Sequence, residues 1–582
     1  IASYLESRSI EHLWYQVDEG DNDVATFFHF MSQAELKRSG EQRRTLPSMS
    51  AGFTGDVTTF ARNYFRELYS GLSRPFAIVL DNYQQALPQS QLHRVISTAL
   101  SEVPKGGSVV LVSRADPPTD LARLRANKKI EIIGWNELRL TPEELQKMVG
   151  TRGEQLTDAI MNELYEKTQG WAAGVVLMVE HSKVMGTVVE PPVSRTPQVV
   201  FDYLAGEIFE KFESDTQAFL LRIACLPRMT AEVAGRLSGY PEAQRLLVNL
   251  VSNDYFVTQR DVSGQSVFQL HPLLREFLLA RAEEKLTVEE MAGIRRQAAA
   301  LLQDAGDIDG ALMQLKDSGQ FGEAMPLLLN HAPAMIEQGR GETLAGWLDE
   351  FPLDTARHNP WLTYWRGASC SQTAPRESRR LFEEAYTLFQ SHGDGDFEGS
   401  ILSCCGVIES VLNEFDDLSL IDRWLENLDG LWNDHSHALS DQIRISVIRS
   451  MYMSLVLRKP DHPDFDKWYA RAKSVVASST DPGMKMMVEP LTAMAVMWSG
   501  HFDKSLDTIE GMRSMARSDE LSPRALANLK NVESMYYMLT GDHVACTRAV
   551  EEGLEISRNY GVRPWCDQLP AHRVAVLLET GD

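Results

Sequence analysis

Phe76-Ala77-Ile78-Val79-Leu80-Asp81-Asn82-Tyr83-Gln84-Gln85 (FAIVLDNYQQ) is the stretch on which the fold turns. Five residues without a charge run straight into Asp81. A second run, Val109-Val110-Leu111-Val112, ends in Ser113-Arg114. Short continuous apolar runs mark parallel strands buried on both faces. Open α/β sheets bind ligands at the carboxyl ends of such strands. A lone carboxylate there points to a metal ion and phosphates, because a hard cation takes oxygen ligands.

Around this stretch, residues 1–140 alternate strand-like and helical segments. His12 to Val17 reads as a strand, the acidic run Asp18–Asp23 as a turn, and Val24–Met31 as a helix. A Ser/Gly/Arg-rich loop is expected over Ser39–Phe53. Helices are expected over Asp56–Tyr69 and Gln89–Glu102, and strands over Ser108–Val112 and Lys129–Ile133. Strands separated by helices imply a parallel sheet. Thr141-Pro142-Glu143-Glu144 is a helix start with a capping box and a proline at the first helical position. Residues 141–187 therefore read as a helical subdomain. In it, Gly170-Trp171-Ala172-Ala173-Gly174 joins two helices and lets the backbone approach a neighbour closely. Val188–Pro197, with three prolines, reads as a linker.

Residues 198–284 read as helices plus one hairpin: Tyr255–Gln259, a turn at Asp261–Gly264, then Ser266–Leu270. His271-Pro272 opens the next helix. This is a winged-helix pattern. It carries no basic recognition helix, which favours an internal packing module over a DNA reader. From 285 to 582 only amphipathic helical segments appear. Ser499-Gly500-His501, Thr540-Gly541-Asp542 and Thr580-Gly581-Asp582 place glycines 41 and 40 residues apart. A period near 40 in an all-helical stretch indicates a solenoid of helix pairs. Ala305-Gly306-Asp307 and Ser318-Gly319-Gln320 mark further tight turns.

The 582 residues exceed what one core supports, so several domains are expected. A formal charge of −24 argues against wrapping nucleic acid over a broad surface. No apolar run approaches the roughly 18–20 residues of a membrane helix, and no signal peptide opens the chain. Six scattered cysteines with no CxxC pair give neither a disulfide framework nor a zinc site, so a reducing cytoplasm is the expected location. The adjacent Cys404 and Cys405 read as helix core. Trp361, Tyr364, Trp365, Trp468 and Tyr469 allow two readings, the lining of a pocket in the solenoid or core packing, and core packing is favoured. Ile1 in place of Met, and a last turn that starts the repeat motif again, lead to the expectation that the chain is cut at both ends.

Taken in order, these pieces resemble a family: the large ATP-dependent, MalT-like regulators, often with a LuxR-type DNA-binding tail, of the STAND class of P-loop NTPases. The resemblance rests on WYQVDEGDND (14–23), IVLDNYQ (78–84), VLVSRADPP (110–118), LARLRA (121–126), GWAAGVVL (170–177), LHPLLREFL (270–278) and the helical region from Ala305 to Leu328. It implies an incomplete α/β NTPase domain at 1–140 that lacks its P-loop. A helical lid at 141–187, a winged helix at 198–284 and a TPR-like superhelix at 285–582, truncated at its C-terminus, would follow. No GxxxxGK[ST] occurs in the chain.

Residue by residue, the resemblance makes Asp81 the Walker B carboxylate that holds magnesium. Arg114 becomes the sensor arginine that reads the γ-phosphate, and His271 the winged-helix histidine that touches the β-phosphate. The residues alone also allow an Asp that merely turns the chain, an Arg paired with Asp116, and a capping or packed His. Asn82 stands where related ATPases often carry a second acid, and it cannot take a proton. That favours a slow switch over a motor, and an inactive piece over an active ATPase. The implied cofactor is ATP or ADP with Mg2+ in the full-length protein. The implied partners are a small-molecule or protein inducer on the helical repeats, further copies of the chain, and DNA only through a domain this chain does not carry. The rival reading is a non-catalytic scaffold, with a degenerate NTPase fold and a TPR-like solenoid that binds a protein partner.

Overall fold

The computed structural model describes residues 1–39, 46–49, 56–151, 157–179, 205–252, 255–262, 265–391, 396–414, 416–479, 482–517, 521–560 and 568–581, apart from 173, 177 and 207. The Val188–Pro197 linker and much of the Ser39–Phe53 loop lie outside the described residues. The chain divides into two compact units: residues 1–130 with 329–582, and residues 131–328. The described residues are mostly helical, with one small parallel sheet and one small antiparallel sheet.

In the first unit three parallel strands form a sheet in the order β1-β2-β3: Glu11–Gln16, Phe76–Asp81 and Gly107–Leu111. The central strand β2 is the quoted apolar run. It is buried from Phe76 to Leu80 because strands flank it on both edges and side chains cover both faces. One face is thick. Helices α2 (Val24–Ser39), α3 (Val57–Ser70) and α4 (Leu92–Ser101) pack Phe28, Phe60, Tyr64 and Ile96 onto Leu13, Ile78 and Leu80. Phe28 meets Phe60 edge-on at 4.8 Å and Tyr64 at 4.7 Å, a geometry the aromatic quadrupole favours. The other face is thin, with Leu5 of α1 (Ala2–Ser7) on Ala77 and Val79.

Two expectations change here. The helix expected over Val24–Met31 runs on to Ser39. Lys129–Ile133 is not a strand; among the described residues it pairs with none, and Ile132 and Ile133 are 47% and 63% exposed. A strand needs a ladder partner, and an apolar cluster of this length without one has no sheet to join.

From Leu329 to the end of the unit, antiparallel helix pairs stack in an array whose cores are local. The largest gathers Ile401, Cys404, Trp424, Val447, Tyr452 and Trp468. Cys404 and Cys405 are both buried there, and burial pushes the Cys405 thiol up to about 12, so both act as inert packing groups. Gly500, Gly541 and Gly581 all adopt left-handed backbone, at φ +80°, +79° and +79°. Beyond the first two, His501 and Asp542 donate their N–H back to Val496 and Tyr537 carbonyls at 3.0 and 2.9 Å. This six-to-one closure ends a helix at a residue for which glycine is best suited. Gln338-Gly339-Arg340 closes in the same way, with Arg340 N–H on Met335 O at 2.9 Å and Gly339 at φ +78°.

Among the described residues, hydrogen bonds tie the array to the α/β fold at two places within this unit. At the first, Asp23 Oδ2 accepts both the Thr343 N–H (3.1 Å) and the Thr343 hydroxyl (2.7 Å). The buried Arg340 donates from Nε to Thr26 Oγ1 at 3.1 Å and lies over the Phe30 ring at 5.0 Å. At the second, the Asn63 side chain of α3 donates to the Asn559 carbonyl at 3.0 Å.

The second unit opens with helix Pro142–Thr151. Its start is capped reciprocally, Thr141 N–H to Glu144 Oε2 at 2.9 Å and Glu144 N–H to Thr141 Oγ1 at 3.2 Å. Gly170 explains the small-residue junction after it. Leu140 N–H bonds the Gly170 carbonyl at 2.8 Å, and a Cβ on Gly170 would lie 2.4 Å from the Leu140 carbonyl oxygen. Helices Ser214–Ile223, Ala231–Ser238 and Ala243–Ser252 then precede β5 (Val257–Val262) and β6 (Gln265–Leu270). With β4 (Met229–Thr230) these strands form an antiparallel sheet in the order β4-β6-β5. Helix Pro272–Lys285 follows, giving the helices, wing and helix of a winged helix.

Candidate functional site

The candidate site is the carboxyl edge of the parallel sheet. Strand β2 ends because Asn82 turns into left-handed backbone at φ 57°, which Asn tolerates better than most residues. The turn folds Asp81 back on itself, so that its Oδ1 accepts the Asn82 N–H at 2.9 Å. Both neighbouring strands hold the exit: Val17 N–H bonds Asp81 O at 2.8 Å, and Tyr83 N–H bonds Val112 O at 2.9 Å. Asp81 itself is half-buried at the sheet edge.

Arg114 leaves the same edge, three residues beyond β3, with an exposed side chain. The structure ties its backbone to the β2 exit: Arg114 N–H bonds Gln84 Oε1 at 3.2 Å, and Gln84 Nε2 reaches Asn82 Oδ1 at 3.4 Å. Gln84 thus stitches the Asp81 turn to the Arg114 turn. Sequence reasoning did not single it out; the signal was its place in the turn after β2. Behind the turn, Tyr83 OH meets His93 Nδ1 at 2.9 Å, and His93 Nε2 lies 2.9 Å from Leu87 O, which fixes the loop from inside.

A second cluster lies after β1, in the acidic run read as a turn. Asp18 caps a short helical turn over Glu19–Asn22. Asp21 is 1% exposed, accepts the Tyr15 hydroxyl at 2.6 Å and the Asp18 N–H at 2.9 Å, and points inward. Burial, then the nearby Asp18 charge, holds its carboxyl up at about 7. Three acids in one run thus divide the work: Asp18 caps, Asp21 is core, and Asp23 grips Thr343.

His271 belongs to the second unit, whereas Asp81 and Arg114 belong to the first. It is the N-cap of helix Pro272–Lys285, with Nδ1 accepting the Leu273 N–H at 3.3 Å. Its own N–H donates to Phe256 O at 2.7 Å, and the two rings meet edge-on at 5.7 Å. The capping role weighed from sequence is what its Nδ1 does.

A magnesium ion would find a hard oxygen donor at this edge in the Asp81 carboxylate, whose Oδ1 also accepts the Asn82 N–H. Among the described residues, no group of three or more His, Cys, Asp or Glu side chains converges on a point. That donor set fits an ion held chiefly by water and phosphate, as magnesium is at nucleotide sites, and not an all-protein metal cage.

Comparison with known proteins places these features. A model of the MalT winged helix domain matches residues 205–290. The HTH-type transcriptional regulator MalT of Cronobacter sakazakii is 26% identical over 363 residues, covering 60% of this chain and 39% of its own length. The MalT of Yersinia enterocolitica is 25% identical over 384 residues, covering 65% and 42%. The chain is MalT-like. It spans about two fifths of the length of these relatives. In fold it is similar to a STAND (signal transduction ATPase with numerous domains) protein with a tetratricopeptide repeat sensor from Pyrococcus horikoshii. The TM-score is 0.58, at 13% identity, over 99% of this chain and 84% of the other. Among the described residues, no helix is long and apolar enough to cross a membrane.

Proposed function

We propose that this MalT-like chain is the switch and sensor portion of a cytoplasmic bacterial transcriptional regulator that binds ATP or ADP. In this reading residues 1–140 form one side of a nucleotide site, 141–187 the lid and 198–284 the winged helix. Residues 285–582 are a TPR-like sensor for an inducer. Asp81 holds magnesium, Arg114 reads the outer phosphate, and His271 contributes from the winged helix. DNA is met through a domain outside this chain, and activation proceeds by self-association.

The observation that carries the reading is the stitched carboxyl edge of the sheet. A carboxylate and an arginine sit on adjacent strand exits that share one Gln84 bridge, and this edge belongs to the same compact unit as the helical array. A guanidinium at such an edge presents a planar fork of donors that matches phosphate oxygens. Asn82 has no acidic proton acceptor, so the expected hydrolysis is slow.

The test is calorimetric titration of the full-length protein with ATP and ADP, with and without magnesium. Wild type is expected to bind both. Asp81→Ala is expected to lose the magnesium dependence, and Arg114→Ala the preference between ATP and ADP. A full-length protein that binds neither nucleotide would instead favour the scaffold reading, to which Asn82 already lends weight.

A further inference from the structure

Asp23 does for two helices what a capping residue does for one. It immediately precedes α2, and its Oδ1 accepts the Ala25 N–H at 3.0 Å. Its Oδ2 accepts the Thr343 N–H at 3.1 Å. Thr343 is the third residue of helix Gly341–Asp349 in the array, whose own N-cap, Arg340, makes no side-chain capping bond. That helix takes its cap from a residue 320 positions away. The first amide donors of a helix have no partner within it, and a carboxylate that meets them also suits the helix dipole. The Thr343 hydroxyl closes the joint, 2.7 Å from Asp23 Oδ2 and 2.7 Å from the hydroxyl of the buried Thr26. The helix start is seated just as closely in the array: a Cβ on Gly341 would lie 2.7 Å from the Ser369 carbonyl oxygen.

The residue next to this double cap bonds a different partner. Asn22 Oδ1 accepts the Leu87 N–H at 2.8 Å, and Asn22 Nδ2 lies 3.4 Å from the Gln85 carbonyl oxygen. A side-chain amide carries both an acceptor and a donor, so it can hold a loop by two backbone groups at once. The loop it holds is the one that leaves β2 at Asp81. Within that loop Gln84 bridges Asn82 and the Arg114 N–H. Asn22 and Asp23 therefore lie between the array and the carboxyl edge of the sheet. Three short spans connect the two: Thr343 to Asp23, Asn22 to Leu87, and Gln84 to Arg114.

We propose that Asn22 and Asp23 form a link through which the array sets the order of the loop after β2, with Asn22 as a positioning residue for the candidate nucleotide edge. Moving helix Gly341–Asp349 off Asp23 leaves the Thr343 N–H without its acceptor and removes an anchor from the acidic turn. Asn22 is then held less firmly against Leu87, and the turns that carry Asp81 and Arg114 lose a common support. The inference rests on reading that edge as the nucleotide site, and it names the contact by which the site is regulated. Neighbours in one hydrogen-bonded network depart from additivity when both are changed, and that departure is the physical evidence for coupling between them.

The experiment is hydrogen exchange on the 582-residue chain without nucleotide, read at residues 82–87 and 113–116, none of which touches Thr343. Thr343→Val removes the hydroxyl from the array side of the link. It is expected to speed exchange at both segments about fivefold, the scale of a weakened helix cap, and Thr343→Ser is expected to keep the wild-type rate. In an Asn22→Ala background, Thr343→Val is expected to add nothing at residues 113–116, because the span it acts through is already open. Asn63→Ala, at the other attachment of the array, is the control for general loosening and keeps the wild-type rate at both segments. Circular dichroism confirms that each variant is folded. The proposal is overturned if Thr343→Val leaves both segments at the wild-type rate, if its effect is the same with and without Asn22, or if Asn63→Ala loosens the segments equally. In the full-length protein Thr343→Val is expected to weaken ATP binding by a similar factor, and unchanged affinity there overturns the regulatory role. A full-length protein that binds neither ATP nor ADP, with the exchange results as expected, would sink the nucleotide reading and leave the link in place.

Discussion

In the α/β fold the residues that meet lie far apart in sequence. Glu11–Gln16 pairs with Phe76–Asp81, which pairs in turn with Gly107–Leu111. In the helical array each helix packs on the next or the next but one, and the cores follow one another along the chain. The first arrangement concentrates its stability in one aromatic layer; the second spreads it over repeats. Damage should therefore spread through the first and stay local in the second.

The largest expected effect tests that contrast directly. Phe28→Ala and Trp468→Ala both empty fully buried aromatic sites, and each should cost about 3–5 kcal/mol. Hydrogen exchange should separate them. Phe28→Ala should release amides throughout β1, β2 and β3, whereas Trp468→Ala should release only the helices around Ile421–Ser478. Equal spreading in both would break the comparison.

Next come two buried titratable groups with opposite signs, one in each region. The Asp21 carboxyl is held at about 7 against 3.8 when unfolded, so its contribution to stability is complete below 3.8 and lost as pH rises through 7. The buried His572 imidazole, 2.8 Å from Ser534 Oγ, is held down at about 4 against 6.5. Its contribution is complete above 6.5 and lost as pH falls toward 4. Denaturant midpoints measured from pH 4 to 8 should lose their alkaline slope in Asp21→Asn and part of their acid slope in His572→Gln.

Arg340→Ala removes a buried donor shared between the two regions and should cost about 1–3 kcal/mol. It should also raise exchange at the start of α2 while leaving the β1–β3 ladder protected. Gly541→Ala is the smallest change, about 1–2 kcal/mol for forcing a Cβ into left-handed backbone, read as a lower thermal midpoint. No clash accompanies it, since nothing lies within 4 Å of that Cβ.

The same contrast explains what could be read in the residues. Phe76–Asp81 announced itself because a central parallel strand must be apolar on both sides. The glycine turns announced themselves because left-handed backbone selects glycine at a fixed period. The Tyr255–Leu270 hairpin announced itself by alternation between turn residues. Lys129–Ile133 misled because an apolar cluster implies burial only when a partner strand exists. Asp23 with Thr343, 320 residues apart, left no local pattern at all, and neither did the Gln84 bridge to Arg114. At the candidate site the residue types were legible from their place after strands, and the hydrogen bonds that orient them were not.

The two points at which the described residues bond the array to the α/β fold have a mechanical consequence. Thr343 is held at one point and Asn559 at the other, with the intervening helices spanning between them. A stack of helices held at both ends cannot change its length or bend without pushing or pulling on its attachments. Anything that tightens or opens the stacked helices along that span delivers its strain to α2 and α3, one layer behind the strands that end at Asp81 and Arg114.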